Sequence, residues 1–134
     1  MAGILITSYG TGHDDAPTAP DPVIVATNAL HNPTDDPTVR ATLTQLTGRH
    51  PDVAAYVLAA PGVHQLIRDA IRDIEDRAEQ GESWIHVHVH CYGGRHLSVA
   101  IAELLASELQ PLDHYPYVSH RHIDWPHLAS RATA

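Results

Sequence analysis

Short apolar runs that alternate with helical patterns predict an α/β domain, with a mostly parallel sheet of about four strands and flanking helices. Three observations carry this. Four runs read as strands, at residues 2–8, 23–27, 84–90 and 115–123. Apolar residues at helical spacing mark the segments between them. Glycine or polar turns follow the strands, as at a sheet's carboxyl edge. Along the chain, 2–8 is a strand that ends in Ser8-Tyr9-Gly10-Thr11-Gly12-His13. Residues 13–22 are loop by composition. Strand 23–27 ends in a polar turn over 28–37, and a weak helix runs over 38–46 until Thr47-Gly48 stops it. A short helix follows at 52–60. The strongest helix is 61–79, where Val63, Leu66, Ile67, Ala70, Ile71, Ile74 and Ala78 share one face. Arg68, Asp69, Arg72, Asp73, Glu75, Asp76 and Arg77 form the solvated face, and Gly81 caps the end. Strand 84–90 leads through a glycine pair to a helix at 98–109, which buries Val99, Ile101, Ala102, Leu105 and Leu109. Strand 115–123 comes last, and the tail after Pro126 is expected to fray.

The chain has 134 residues, enough for one core, and is read as one domain. It contains no apolar run long enough to span a bilayer. Its first residues read as a strand and not as a signal peptide. A single cysteine forms no internal disulfide, so the cytoplasm is the expected compartment. The net charge is −8 and lysine is absent, which argues against general nucleic-acid binding. The twelve histidines make the charge sensitive to pH near neutrality.

The chemistry concentrates at Val89-His90-Cys91-Tyr92-Gly93-Gly94-Arg95-His96-Leu97-Ser98. A strand that ends in a glycine turn at a helix start gathers unpaired N–H groups, and the helix dipole adds positive character. Such a turn cradles a phosphate or sulfate. The plain alternative is a tight strand-to-helix connection. In α/β sheets ligands bind beyond the strands' carboxyl ends, which also brings in the loops at 8–13 and 28–33 and the end of the last strand.

His86, His88 and His90 alternate along one strand and therefore share a sheet face. They form either a metal site, completed by His120, His122 or Asp124, or a packed row of hydrogen-bonded rings. Cys91 opens the turn in the manner of cysteine phosphatases. Their phosphate-clamping arginine lies six residues on, where this chain has Leu97, so a buried structural thiol is the reading. Gly10-Thr11-Gly12 lacks the Lys-Ser/Thr of an ATP-binding loop. Asp14-Asp15 and Asp35-Asp36 read as solvated turn residues.

Five motifs in order give a family resemblance. They are Ser8-Tyr9-Gly10 with His13, then Asn32-Pro33, then Leu46-Thr47-Gly48. His90-Cys91-Tyr92-Gly93-Gly94-Arg95-His96-Leu97-Ser98-Val99 and Ser119-His120-Arg121 complete the set. The chain resembles the C-terminal domain of RapZ, the bacterial RNase adapter protein, from about Leu5 to Ile123. It departs from the family pattern at four places. The Asp-Val-Arg of the family falls on Ala26-Thr27-Asn28, a histidine on Thr34, an arginine on Leu97 and a glycine on His90. The resemblance implies binding of glucosamine-6-phosphate and of a small regulatory RNA, and self-association. The family's RNA contact uses a basic tail, whereas this chain continues as Asp124-Trp125-Pro126-His127-Leu128 with only Arg131 beyond. The family's N-terminal nucleotide-binding domain is not expected here.

The expected function is therefore non-enzymatic sensing of a phosphorylated sugar, with no cofactor. The candidate ligand contacts are Ser8, Gly10, His13, Asn32, Cys91, Gly93, Gly94, Arg95, His96, Ser98, His120 and Arg121. The alternatives are a metal-binding protein or metal-dependent hydrolase built on the histidine row, and an RNA-interacting adapter. Expected partners are a small phosphorylated ligand, an RNA or protein, and further copies of the chain, with no membrane.

Overall fold

A computed structural model of the protein describes residues 1–27, 30 and 46–126. Four strands, β1 (Gly3–Gly10), β2 (Val23–Ala26), β3 (Trp84–Cys91) and β4 (Tyr115–His120), form one sheet in the order β2-β3-β1-β4. Every neighbouring pair is parallel. Among the described residues three helices, α1 (Pro51–Leu58), α2 (Val63–Glu79) and α3 (Leu97–Leu109), accompany it. This is the α/β architecture that the alternation predicts. The polar turn over 28–37 (apart from Leu30), the weak helix expected at 38–46 (apart from Leu46), Asn32, Asp35-Asp36 and the tail after 126 lie outside the described residues.

β1 runs two residues past Ser8 and β3 reaches Cys91, in register with each other at Gly10 and Cys91. The glycine loop and the 91–96 turn therefore leave the sheet at the same height. β4 stops at His120, short of the expected 123. Arg121 N–H still donates to Ser8 O at 2.9 Å. The next β1 amide, that of Gly10, is taken by the His122 ring instead of a β4 carbonyl, and the ladder ends.

α2 ends as its sequence requires. Gly81 sits at φ 95, with Gly81 N–H on Ala78 O and Glu82 N–H on Arg77 O, which satisfies the last carbonyls. α3 is apolar almost all round because it is covered on both sides. It packs on β1, β3 and β4 and is overlaid by α1 and α2. Ile4, Ile6, Val25, Ile85, Val87 and Val89 from the strands join Ile67, Ile74, Ile101 and Leu105 in one buried core.

The opposite sheet face is a different environment. The β1–β2 connection carries only the 3-10 turn Thr11–His13. Ile24, Trp84, Tyr115 and Tyr117 on that face are about half exposed. The Trp84 indole lies over Gly3, where a Cβ would fall 2.2 Å from the ring. Among the described residues, no helix is long and apolar enough to cross a membrane.

Candidate functional site

The site is built where β1, β3 and β4 end together. β3 passes through Cys91 into the 91–96 turn, and α3 begins at Leu97. Gly94 takes φ 73, a conformation that favours glycine. It also lies against β1, since a Cβ on Gly94 would fall 2.5 Å from Gly10 N. On Gly10, a Cβ would fall 2.5 Å from the Gly93 carbonyl carbon. The turn and the first glycine loop thus touch backbone to backbone, which explains why both are glycine-rich. His13 closes the contact through Nε2 to Gly93 O at 3.1 Å.

α3 starts without a side-chain cap; His96 holds the cap position and makes no capping hydrogen bond. The first-turn N–H groups of a helix have no partner within it, and the dipole there favours an anion. Other groups of the cradle already have internal partners. Gly94 N–H points at Cys91 Sγ (3.2 Å), and Cys91 Sγ lies 3.1 Å from Ser98 Oγ. The Gly10 amide is held by His122 Nδ1 at 2.8 Å.

Arg95 is the charged group of the turn. One of its terminal nitrogens donates to Trp125 O at 3.1 Å. Its Nε is buried and has no hydrogen-bond partner among the described residues. A buried guanidinium N–H without an acceptor costs free energy.

The histidines serve as hydrogen-bonded structural groups. His96 Nε2 meets Leu46 O at 2.8 Å, and Gly48 N–H donates to Arg95 O, stitching the Leu46-Thr47-Gly48 motif to the turn. His120 sits between Ser8 Oγ at 2.6 Å and Glu103 Oε1 at 2.7 Å, with its side chain almost fully buried. Glu103 also faces Arg49 Nε at 3.6 Å, on the wall of an open groove of about 520 Å³ between α1 and α3. His114 accepts Ala2 N–H at 3.1 Å and pairs with Glu75.

His86, His88 and His90 do share the second sheet face, where they pack against aromatic rings. Tyr9 lies beside His88 and His90, and Trp84 beside His86. Burial, reinforced by the neighbouring His86, pushes the His88 pKa below its ordinary value. Among the described residues, no group of three or more His, Cys, Asp or Glu is arranged to hold a metal.

Asp15 departs from the expectation of a solvated turn residue. Both its carboxylate oxygens hold Arg121, at 3.0 Å each, and Oδ2 also accepts from His122 Nε2 at 3.1 Å. The Arg121 and His122 hydrogen bonds keep the Asp15 carboxyl below the usual carboxylate range. Arg121 therefore points at Asp15 and not into the turn. The cause is a reversal of the chain after His120, which spacing alone does not reveal. Sequence reasoning also gave no role to Glu103 or Trp125, whose partners are distant in the chain.

With this geometry established, comparison with known proteins identifies the family. The profile of the RapZ C-terminal domain matches residues 2–124. A nucleotide-binding protein of Paramagnetospirillum magneticum is 36% identical over 126 residues, covering 91% of this chain and 39% of that protein. One from Sphingopyxis alaskensis is 37% identical over 100 residues, covering 71% of this chain and 30% of its own length. One from Deinococcus radiodurans is 35% identical over 109 residues, covering 78% and 36% respectively. The chain thus spans well under half the length of these relatives. On the match across nearly its whole described length, this chain belongs to the RapZ C-terminal domain family.

Proposed function

We propose that this domain is a regulatory sensor of a phosphorylated small molecule, a sugar phosphate of the glucosamine-6-phosphate kind, and performs no chemistry on it. The observation that carries the reading is the Arg95 Nε, buried and without a hydrogen-bond partner among the described residues, beside a helix start that His96 does not cap with its side chain. The phosphate sits on the amides of the 93–96 turn and of the first turn of α3, and Arg95 supplies the positive charge. Gly10 and His13 form one wall, with Ser8 and His120 bracing it from the sheet. Cys91 and Ser98 line the base of the turn, and Asn32 is the proposed contact to a sugar hydroxyl. Arg121 acts through its grip on Asp15. The metal-dependent and RNA-binding readings have weaker support. The histidine row is packed against Tyr9 and Trp84, and the chain carries a net charge of −8.

The test is titration calorimetry of the full chain with glucosamine-6-phosphate, inorganic phosphate and unphosphorylated glucosamine. Only the phosphate-bearing compounds are expected to bind. A charge-assisted hydrogen bond contributes about 1.5–3 kcal/mol, so Arg95→Ala weakens binding about tenfold or more. No heat from either phosphate compound overturns the reading.

A further inference from the structure

After β4 the chain folds back as a strap, residues 121–126, over the end of β1 and the 91–96 turn. Its central anchor is His122, whose side chain is fully buried. Both ring nitrogens are committed. The Gly10 amide donates to Nδ1 at 2.8 Å, so Nδ1 carries no proton. Nε2 carries it and donates to Asp15 Oδ2 at 3.1 Å. These two partners fix the neutral Nε2–H tautomer.

The groups that face this ring come from three elements. β1 presents the Gly10 amide. The loop after it presents His13, with ring centres 4.6 Å apart, and Asp15. The strap itself presents Arg121 and Trp125, the indole lying 4.5 Å away. A second proton on the ring must go to Nδ1, where it would meet the Gly10 N–H head-on. Desolvation opposes that proton most strongly, and the charges of His13 and Arg121 oppose it too. Asp15 favours it, but both carboxylate oxygens already hold Arg121. The same strap accepts the Arg95 hydrogen bond at Trp125 O. One segment therefore occupies both a backbone donor and the cation of the proposed cradle.

We propose that the 121–126 strap is a proton-operated cover over the 91–96 turn: neutral His122 holds it shut on Gly10, and protonation of His122 lifts it and presents the Gly10 amide and Arg95 to an anion. The service to an anion rests on the reading above; the opening itself does not. The sign follows from linkage. The closed form binds the proton less well than the open form, whose imidazole titrates near about 6.5. The cover is stable above that pH. Below it, opening grows by up to about tenfold per pH unit until the closed form also titrates.

The experiment uses the full chain carrying Trp84→Phe, which leaves Trp125 as the one tryptophan. Gly10 amide exchange, corrected for its intrinsic rate, and Trp125 fluorescence are followed without ligand from about pH 8 to about pH 5. Ile6, in the middle of β1, reports global unfolding. Gly10 is expected to lose about tenfold or more of protection beyond whatever Ile6 loses as the whole fold weakens, with Trp125 emission changing over the same range. His122→Asn offers an uncharged acceptor in place of Nδ1 and is expected to remove the pH response. Gly10 protection that holds to pH 5 in the unsubstituted strap, or an unchanged response in His122→Asn, overturns the proposal. Sulfate, whose charge is constant over this range, separates the two readings. Affinity that rises about tenfold on acidification, and stays flat in His122→Asn, supports both. Opening of Gly10 with no sulfate binding supports the cover and removes the anion site. Sulfate binding with Gly10 still protected removes the cover and keeps the site.

Discussion

Ser8 Oγ lies 2.6 Å from His120 Nδ1, tying the carboxyl end of β1 to that of β4 through two buried side chains. Glu103 of α3 meets the other ring nitrogen, so a hydroxyl, an imidazole and a carboxylate run from the sheet into the helix layer. The order resembles a hydrolytic relay, but Ser8 is fully buried. The arrangement is a structural brace. His120→Ala strands the Ser8 hydroxyl and removes the Glu103 contact, an expected loss of about 1–3 kcal/mol by chemical denaturation. Ser8→Ala in the same background is expected to cost less than it does alone, because its partner is already gone. Strictly additive effects in that double-mutant cycle would contradict the brace.

The two glycines of the turn have different jobs, and substitution separates them. Gly94 combines φ 73 with contact to the Gly10 backbone, so Gly94→Ala is expected to destabilise by about 2 kcal/mol or more. A Cβ on Gly93 meets nothing within 4 Å. Gly93→Ala is therefore expected to shift stability by less than about 0.5 kcal/mol, as surface changes usually do. Thermal melts of the two variants, run side by side, check the contrast.

The Leu46-Thr47-Gly48 motif is expected to act through α3 rather than through a ligand. A Cβ on Gly48 would fall 2.4 Å from His96 O and 2.6 Å from Ala100 N, and these backbone atoms cannot move aside as the tip of a side chain can. Gly48→Ala should push this loop off the helix start and break Gly48 N–H to Arg95 O. Loss of about 2 kcal/mol in urea melts, with faster amide exchange through the first turn of α3, is the expected result.

Much of the frame was legible because its causes are local. Alternating apolar residues at Ile85, Val87 and Val89 mark a half-buried strand whatever lies around it. The 3.6-residue period of Ile67, Ala70 and Ile74 likewise marks a helix face. Gly81 stops α2 through a conformation that only its own backbone needs. The turn at 91–96 was visible as a glycine pair between a strand and a helix. The strap was not visible, because its meaning lies in contacts such as Gly10 with His122 and Asp15 with Arg121, more than a hundred positions apart. Asp15 looked like any aspartate in a proline-rich loop. The histidine row left both a metal site and a packed row open for the same reason: spacing shows that His86, His88 and His90 share a face, but not that Tyr9 and Trp84 fill the space beside them.

Those buried imidazoles make stability depend on pH in a defined direction. His88 and His122 are both held neutral below the ordinary histidine value, chiefly by burial. Each therefore binds a proton more readily in the unfolded chain than in the fold. Their contribution is complete above about pH 6.5 and is lost progressively as the pH falls below it. Asp15, lowered by its hydrogen bonds to Arg121 and His122, adds a second limb further down. Its contribution is present above the ordinary carboxylate value near about 4 and fades as the pH falls through its own lower value. Denaturant melts from about pH 8 to about pH 5 should be flat at first and then decline. His88→Phe keeps a ring beside Tyr9 and should flatten part of the decline. Stability that stays constant down to pH 5, or an unaltered decline in His88→Phe, would show that this ring is charged in the fold or titrates alike in both states.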